Sequence, residues 1–447
     1  MKVNKKKIME INGSQTLEKN NIITGIVKLH NKKICIVYEN YNKNGYAFEK
    51  KDAYKINSIQ NVAYEKKIPI VYIIDSVGAD LNEGVYALHG YGQVFQKCVN
   101  MSGVVPQIVV ILGNCCGGAS YLAALADIVF CVKDEGNIFI TGPRVVEDSI
   151  GEKIDTKKLG GEIHYKCNGI IDCIYDKKEE MFRDIIKVTN YFINSSKKLN
   201  RESILNISKL KININNIVPK DFKKIYDIKK LILQVVDKET FFELGCGYAK
   251  NIIVGFAEIA GKSVGIVANQ PLFKCGGIDC EASKKAARFI RMCDCFSIPI
   301  ITFVDTPGFI PGYEQEKRGI TVNGSKIIFA YANAKVLKIS VIVRKAYGGA
   351  YIAMNSKGIG ADKVFSWPNV ETGIMAAENA VKILKERKFT VDEYKRKYID
   401  VSNAVKKGIV DEIILPENTR IKIIEVIRNE DKRYYRKKRK RHGNMRL

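Results

Sequence analysis

Short runs that are apolar at every position recur along the chain, each set between stretches whose apolar residues fall at helical spacing. Residues 68–75 read IPIVYIID and residues 298–305 read IPIITFVD, each closed by an aspartate. Runs of this kind, without polar alternation, predict strands buried on both faces of a parallel sheet. QIVVILG (107–113) and SVIVR (340–344) predict a second strand in each half, followed by Cys116-Gly117-Gly118-Ala119-Ser120 and Tyr347-Gly348-Gly349-Ala350-Tyr351. The interval is 42 residues from Asp75 to Gly117 and 43 from Asp305 to Gly348. Ala126–Phe130 answers Ala361–Phe365, and the offset between halves stays between 230 and 235. Helical spacing over Asp52–Lys66 and Ala282–Phe296 supplies a matching helix before each first strand. The pattern predicts a duplicated α/β domain rather than a short-period solenoid. Asn194–Asp221, with its SSKKLNRES and KININNIVPK segments, has linker composition and places the domains at 1–215 and 216–447. The second opens with a helix over Asp227–Val236 and a hairpin, Asn251–Glu258 with Lys262–Asn269.

Composition narrows the class. The 447 residues are 46% hydrophobic with only 10 prolines, which supports sizeable cores and excludes a disordered chain. The longest apolar stretches, Ile68–Ile74 and Val104–Leu112, fall short of the roughly 20 residues a membrane span needs. The opening MKVNKKKIMEINGSQ has no apolar core behind its lysines, so it does not read as a secretory signal, and a cytoplasmic protein is expected. The net charge of +25 points toward anionic partners, although abundant Lys, Asn and Ile throughout make solvating surface lysine the main account of the excess. Its densest cluster, Lys432–Arg441 interrupted by Tyr434 and Tyr435, suits a nucleic-acid tail or a phosphate-binding edge of an enzyme equally well. Twelve cysteines without a Cys-x-x-Cys pair, and four isolated histidines (His30, His89, His164 and His442), give neither a metal site nor a nucleophile–histidine dyad. Any chemistry therefore rests on backbone groups or on a cofactor.

The two Gly-Gly-Ala turns fit that requirement. Glycine permits a sharp turn and close approach of a ligand, and the N–H groups at a helix start have no intrahelical acceptor. Such a turn can hold a phosphate or an oxyanion, or can simply allow tight helix–strand packing.

KAARFIRMCDCFSIPIITFVDTPGFIPGYEQE (285–316), YANAKVLKISVIVRKAYGGAY (331–351) and the ending RKRHGNMRL resemble the carboxyltransferase (β) subunit of biotin-dependent acyl-CoA carboxylases, the propionyl-CoA carboxylase β type. NEGVYALHGYGQVF (82–95), SGVVPQIVVILGNCCGGASYLAAL (102–125), FITGPRVV (139–146) and YAKNIIVGFAEIAGKSVGIVANQP (248–271) resemble the same family. The resemblance implies two tandem crotonase-like domains and a homohexamer in which the N half of one subunit faces the C half of another. It implies transfer of a carboxyl group from carboxybiotin, on a separate carrier protein, to the α-carbon of a short acyl-CoA such as propionyl-CoA, with a biotin carboxylase as partner and no metal in this subunit. Carried over by motif, Gly117-Gly118 and Gly349-Ala350 supply two oxyanion sites, one for the thioester enolate and one for the ureido oxygen of biotin. By analogy with crotonases the N half leans toward CoA. Gly78-Ala79 and Gly308-Phe309 are candidates for the partner N–H groups, and Tyr347, Gly348, Tyr351 and Ile352 for the walls of the substrate or biotin site. The departing ureidate is itself basic enough to take the α-proton, which accounts for the scarcity of histidine.

The chain departs from the family in places. The usual Asp-Ser-Gly-Gly-Ala-Arg loop reads Asp75-Ser76-Val77-Gly78-Ala79-Asp80, so either the loop conformation or a CoA phosphate contact changes; the N half is short; and Ile352 replaces a common acidic residue, which would make an acyl pocket more apolar. Three other functions are compatible with parts of the sequence. A GTPase would use Gly255…Gly261-Lys262-Ser263 with Asp305-Thr306-Pro307-Gly308, but the first motif is one residue too long and lies in a strand pattern. Biotin-dependent methylmalonyl-CoA or glutaconyl-CoA decarboxylases and transcarboxylases run the transfer onto biotin, and a degenerate homologue would not run it at all.

Overall fold

The computed structural model describes residues 22–29, 32–39, 47–196, 217–384 and 389–434. The expected boundary at 215, His30, His442 and the basic run beyond Tyr434 lie outside the described residues. Two compact units divide between Asn190 and Tyr191.

In the first unit, β1 (Ile22–Leu29), β2 (Lys32–Glu39), β3 (Ile70–Ser76), β4 (Gln107–Cys116), β5 (Ile128–Val132), β6 (Asn137–Phe139) and β7 (Cys173–Tyr175) form one sheet. Its order is β1-β2-β3-β4-β5-β7, with β6 on the end of β4; β1 and β2 are antiparallel and every other pair is parallel. Helices α1 (Lys50–Lys66), α2 (Val85–Met101) and α3 (Gly118–Leu125) accompany it. Ala53, Ile56, Ile59 and Ala63, at helical spacing on α1, share a core with Ile70, Tyr72 and Ile74 of β3 and with Val109 and Ile111 of β4. The alternate residues Val71, Ile73, Ile108 and Val110 are buried as well, which is why these strands carry no polar alternation.

The second unit repeats the path. β8 (Phe242–Leu244), β9 (Ile252–Ile259), β10 (Lys262–Asn269), β11 (Ile300–Thr306), β12 (Lys338–Tyr347), β13 (Lys363–Ser366), β14 (Glu371–Gly373) and β15 (Glu412–Ile413) are ordered β15-β13-β12-β11-β10-β9-β8, with β14 on β12. Here β9 is antiparallel to β8 and to β10, and the remaining pairs are parallel. The antiparallel pair β9–β10 thus stands where β1–β2 stands in the first unit, and β14 branches from β12 as β6 branches from β4. Helices α4 (Cys280–Cys295), α5 (Ile320–Asn333) and α6 (Gly348–Ala353) correspond to α1, α2 and α3.

The expected hairpin closes through Ala260 and Gly261, both at positive φ (50° and 74°), the backbone of a two-residue hairpin loop. Both turn N–H groups donate to the Asp237 carboxylate, at 3.0 and 2.9 Å. Gly261-Lys262-Ser263 is therefore a strand turn, and the phosphate-loop alternative is excluded. All twelve cysteines are free thiols. Among the described residues no helix is long and apolar enough to cross a membrane.

The matched Ala-Asp pairs ahead of β5 and β13 have a structural task. Asp127 accepts from the Gln107 N–H (2.9 Å) while its own N–H donates to Gln107 O (2.8 Å), closing the start of β4 against β5. Asp362 does the same for Lys338 at the start of β12, at 2.8 and 2.9 Å. Asp172 with Val129 and Asp411 with Val364 repeat the device one strand further on. Asp127→Ala and Asp362→Ala each leave a buried strand N–H without an acceptor. Each is expected to lower unfolding free energy by about 1–3 kcal/mol, measured by urea titration of its own unit's transition.

Candidate active site

Each unit contains the same irregularity at the same place. β3 and β4 keep one register from Ile70 opposite Gln107 to Ile74 opposite Ile111, and then Ser76 pairs with Cys115. β11 and β12 keep register to Val304 opposite Ile342, and then Thr306 pairs with Ala346. In both, the second strand advances four residues while the first advances two, a bulge that bends the strand and re-aims the chain beyond it. The segments re-aimed are the loop after β3 or β11 and the glycine turn after β4 or β12.

The loops are held alike. Gly78 O accepts from the Phe48 N–H (2.8 Å) and the Asp80 N–H donates to Phe48 O (2.9 Å); Gly308 O accepts from Ile278 (3.1 Å) and Ile310 donates back to Ile278 O (2.8 Å). The N–H groups of Gly78 and Gly308 are themselves taken by Ser76 Oγ (3.2 Å) and Thr306 Oγ1 (3.3 Å). Because the bridge uses the groups on either side of Ala79 and Phe309, the N–H groups of these two residues lie on the opposite edge. Gly78 and Gly308 have φ of 105° and 143°, whereas Val77 has negative φ and is exposed. Val77 thus occupies backbone that does not require glycine, and Asp80 accepts from the Asn82 N–H at 2.7 Å.

At the turns, Gly117 (φ 55°) and Gly348 (φ 58°) occupy equivalent positions at the ends of β4 and β12, so Gly118 matches Gly349 and Ala119 matches Ala350. The Gly117 N–H donates to Phe139 O (3.2 Å), and Gly117 serves as the turn itself. Gly118 and Ala119, like Gly349 and Ala350, bring first-turn N–H groups that no intrahelical carbonyl can reach. A Cβ on Gly117 would stand 3.8 Å from Gly78 Cα, so loop and turn of the N half lie side by side. In the C half the Phe309 ring lies 3.6 Å from where a Cβ on Gly349 would be. Tyr347 is buried, its hydroxyl donating to Glu371, which also pairs with Lys395 at 3.1 Å. Tyr351 is half-buried, and Ile352 is 47% exposed on α6.

Several supporting groups were not evident from the motifs. The Tyr91 ring stacks on Phe48, with centroids 3.8 Å apart, and fills the space under Gly118, where a Cβ would fall 2.7 Å from the ring. Glu39, at the end of β2, is buried, and burial together with the charges of Asp52 and Asp75 pushes its carboxyl up to about 8. Asp75 lies against Gly113, a Cβ on which would fall 2.2 Å from Asp75 Oδ1, and that oxygen accepts from the Asn114 N–H at 3.1 Å. In the C half Arg344 stands in the place of Gly113, and Asp305, in the place of Asp75, is paired with it at 3.0 Å. Asp305 is thus a buried ion-pair carboxylate rather than the metal-contacting aspartate of a GTPase. Burial pushes its carboxyl up and the Arg344 charge opposes the shift.

Substitutions at the turn and at Glu39 have distinct expected outcomes. Gly118→Ala collides with Tyr91 and is expected to cost more than tenfold in activity and several degrees in melting temperature, whereas Gly349→Ala meets only ordinary contact and is expected to fold as the parent does; paired melting curves and assays check the contrast. Glu39 binds a proton in the folded state between its unfolded value of 4.5 and about 8, so its contribution to stability falls as pH rises through that window and is flat above it. Glu39→Gln is expected to flatten the decline of melting temperature between pH 5 and 8.

The carboxyl transferase domain family matches residues 3–445. A putative propionyl-CoA carboxylase beta chain of Bacillus subtilis (strain 168) is 40% identical over 439 residues, covering 95% of this chain and 86% of that one. The mitochondrial propionyl-CoA carboxylase beta chain of Sus scrofa is 39% identical over 409 residues, covering 90% and 76%. Among solved structures, the transcarboxylase 12S hexamer with hydrolysed methylmalonyl-coenzyme A bound superposes with a TM-score of 0.87 at 35% identity, covering 96% of this chain and 84% of that one. A single-chain long-chain acyl-CoA carboxylase, at 22% identity and a TM-score of 0.77, shares the fold. The duplicated two-sheet fold is thus one shared with known carboxyl-transferring proteins, and the chain belongs to the carboxyl transferase family as an enzyme of the propionyl-CoA carboxylase beta type.

Proposed function

We propose that the chain transfers a carboxyl group between carboxybiotin on a separate carrier protein and the α-carbon of a short acyl-CoA, propionyl-CoA foremost, with the N half holding the acyl thioester and the C half the biotin. The observation that carries this reading is the paired supply of backbone donors: Ala79 with Gly118 in one unit, Phe309 with Gly349 and Ala350 in the other. Peptide N–H groups fixed by bridged loops and buried strands suit an anion that develops during reaction, because they need no reorganisation and carry no proton to lose. Each well-placed donor contributes a few kcal/mol to such an anion. Carboxybiotin, as substrate, brings both the carboxyl group and the base for the α-proton. The residues of this chain hold and align the reactants. Gly78 and Gly308 shape the loops and Gly117 and Gly348 the turns, and Ile352 places an apolar side chain beside the C-half turn.

The charge of +25 favours attraction of CoA phosphates. Biotin carboxylase and biotin carrier subunits are the partners this chemistry requires, a hexamer like that of transcarboxylase 12S is the assembly, and the cytoplasm is the compartment. The hydrolysed methylmalonyl-coenzyme A bound to transcarboxylase 12S supports a CoA thioester as the substrate.

The test is carboxyl exchange by the purified oligomer between biotin and malonyl-, methylmalonyl- or glutaconyl-CoA, in both directions. Exchange with methylmalonyl-CoA preferred is expected, and an altered ranking of acyl lengths in Ile352→Asp would place the acyl group beside the C-half turn instead. Absence of exchange with every thioester by an intact oligomer would identify a homologue without catalysis, and a preference for decarboxylation onto biotin of glutaconyl-CoA would overturn the substrate assignment.

A further inference from the structure

The bulge between β11 and β12 carries a buried ionic cluster that the corresponding bulge of the N half lacks. Asp305 is fully buried, and its Oδ2 accepts from Arg344 Nε (3.0 Å) and from the Tyr226 hydroxyl (2.9 Å). Its Oδ1 is buried without a hydrogen-bond partner among the described residues, so Arg344 and Tyr226 supply the hydrogen bonds to this carboxylate, with the Lys345 charge also favouring its ionised form. The Arg344 guanidinium lies 4.9 Å from the Tyr226 ring centroid and donates through Nη1 to the carbonyls of Asp221 (3.1 Å) and Lys224 (2.7 Å). Arg344 therefore clamps the segment 221–226 onto the bulge.

From Asp305 the connection continues to the site loop. The Asp305 N–H donates to Asn269 Oδ1 (3.3 Å), and Asn269 Nδ2 donates to Gly276 O (3.1 Å). Gly276 sits so close that a Cβ there would fall 2.4 Å from Asp305 O. Ile278, two residues on, bridges Phe309. Asp305 lies four residues before Phe309, and Arg344 five before Gly349, so one ion pair ties together the two strands whose ends present the C-half donors. In the N half the same bulge holds Gly113, and Asp75 has the Asn114 N–H in place of a guanidinium. Strand packing alone therefore does not require the cluster, since the other unit closes its bulge without one.

We propose that Arg344, Asp305 and Tyr226 form a positioning cluster that sets the C-half donors Phe309, Gly349 and Ala350 in their productive geometry. The proposal rests on the C half holding one of the two reacting anions. It acts on alignment, so its loss appears in turnover, where sub-ångström displacement of an oriented group is costly, and not in binding of the partner substrate.

The test uses the full-length oligomer and Tyr226→Phe, which removes one hydrogen bond to Asp305 while keeping the ring under Arg344, together with Arg344→Lys and Arg344→Met. Turnover number, KM for the acyl-CoA, melting temperature, and hydrogen exchange of peptides covering 306–310 and 346–351 are measured for each. Tyr226→Phe is expected to lower kcat roughly tenfold with an unchanged acyl-CoA KM and a melting temperature lowered by only a few degrees, and to speed exchange of those two peptides at least severalfold. Arg344→Lys is expected to restore part of the kcat lost in Arg344→Met. Unchanged kcat and unchanged exchange in Tyr226→Phe would overturn the proposal, as would a loss matched by equal melting of the whole second unit. If the parent protein transfers no carboxyl group, the functional reading fails, and the exchange of the two peptides still decides whether the cluster sets their geometry.

Discussion

The change of register between two buried parallel strands is the constraint on which the site depends. A parallel pair held by evenly spaced hydrogen bonds runs straight, and a loop and a helix leaving its ends would point away from each other. Advancing β4 and β12 by four residues against two of their neighbours bends each pair at its carboxyl end, and the loop and the glycine turn then meet. The closeness of Gly78 and Gly117 is a direct result, as is the seating of Phe309 against Gly349. Each bulge is opposed by an aspartate, and each aspartate needs partners because it has been drawn in with the strand. The two halves meet that need differently, one with a backbone N–H over a glycine, the other with a buried arginine and a tyrosine.

Around this constraint the rest of the fold is support. The paired Asp127 and Asp362 lock the starts of β4 and β12, fixing the strands at the end remote from the chemistry, and Tyr91 with Phe48 floors the N-half turn. The site that results is made of main chain. On the proposed reading this explains why four histidines suffice for the molecule and why no catalytic dyad is visible in its motifs: the groups proposed to act on the anion are peptide N–H groups, whose direction is set by hydrogen bonds made by their neighbours.

Much of this was legible in the sequence. Strands buried on both faces are uninterrupted apolar runs, so IPIVYIID and IPIITFVD could be read as parallel strands without any knowledge of pairing, and the matched offset exposed the duplication. The hairpin was legible from Gly261 between two strand-like segments, whereas the positive φ of Ala260 was not, because alanine gives no such signal. The bulges were not legible, because a register shift is a property of two strands and leaves no mark on either. The match of Gly117 with Gly348, and so of Gly118 with Gly349, was legible from the equal spacing of the two motifs, and the strand pairing keeps it. Arg344 was the one visible sign of the C-half cluster, a cation closing an otherwise apolar strand run. Its partners could not be found from it, since Tyr226 lies 79 residues from Asp305 in the chain.

The central claim, that paired backbone donors at each bulged strand end hold the reacting oxygens, is tested most directly by a crystal structure of the chain with an acyl-CoA bound. The account predicts the thioester carbonyl oxygen about 3 Å from the N–H nitrogens of Ala79 and Gly118. A thioester oxygen held by side chains, or placed away from both glycine turns, would contradict it.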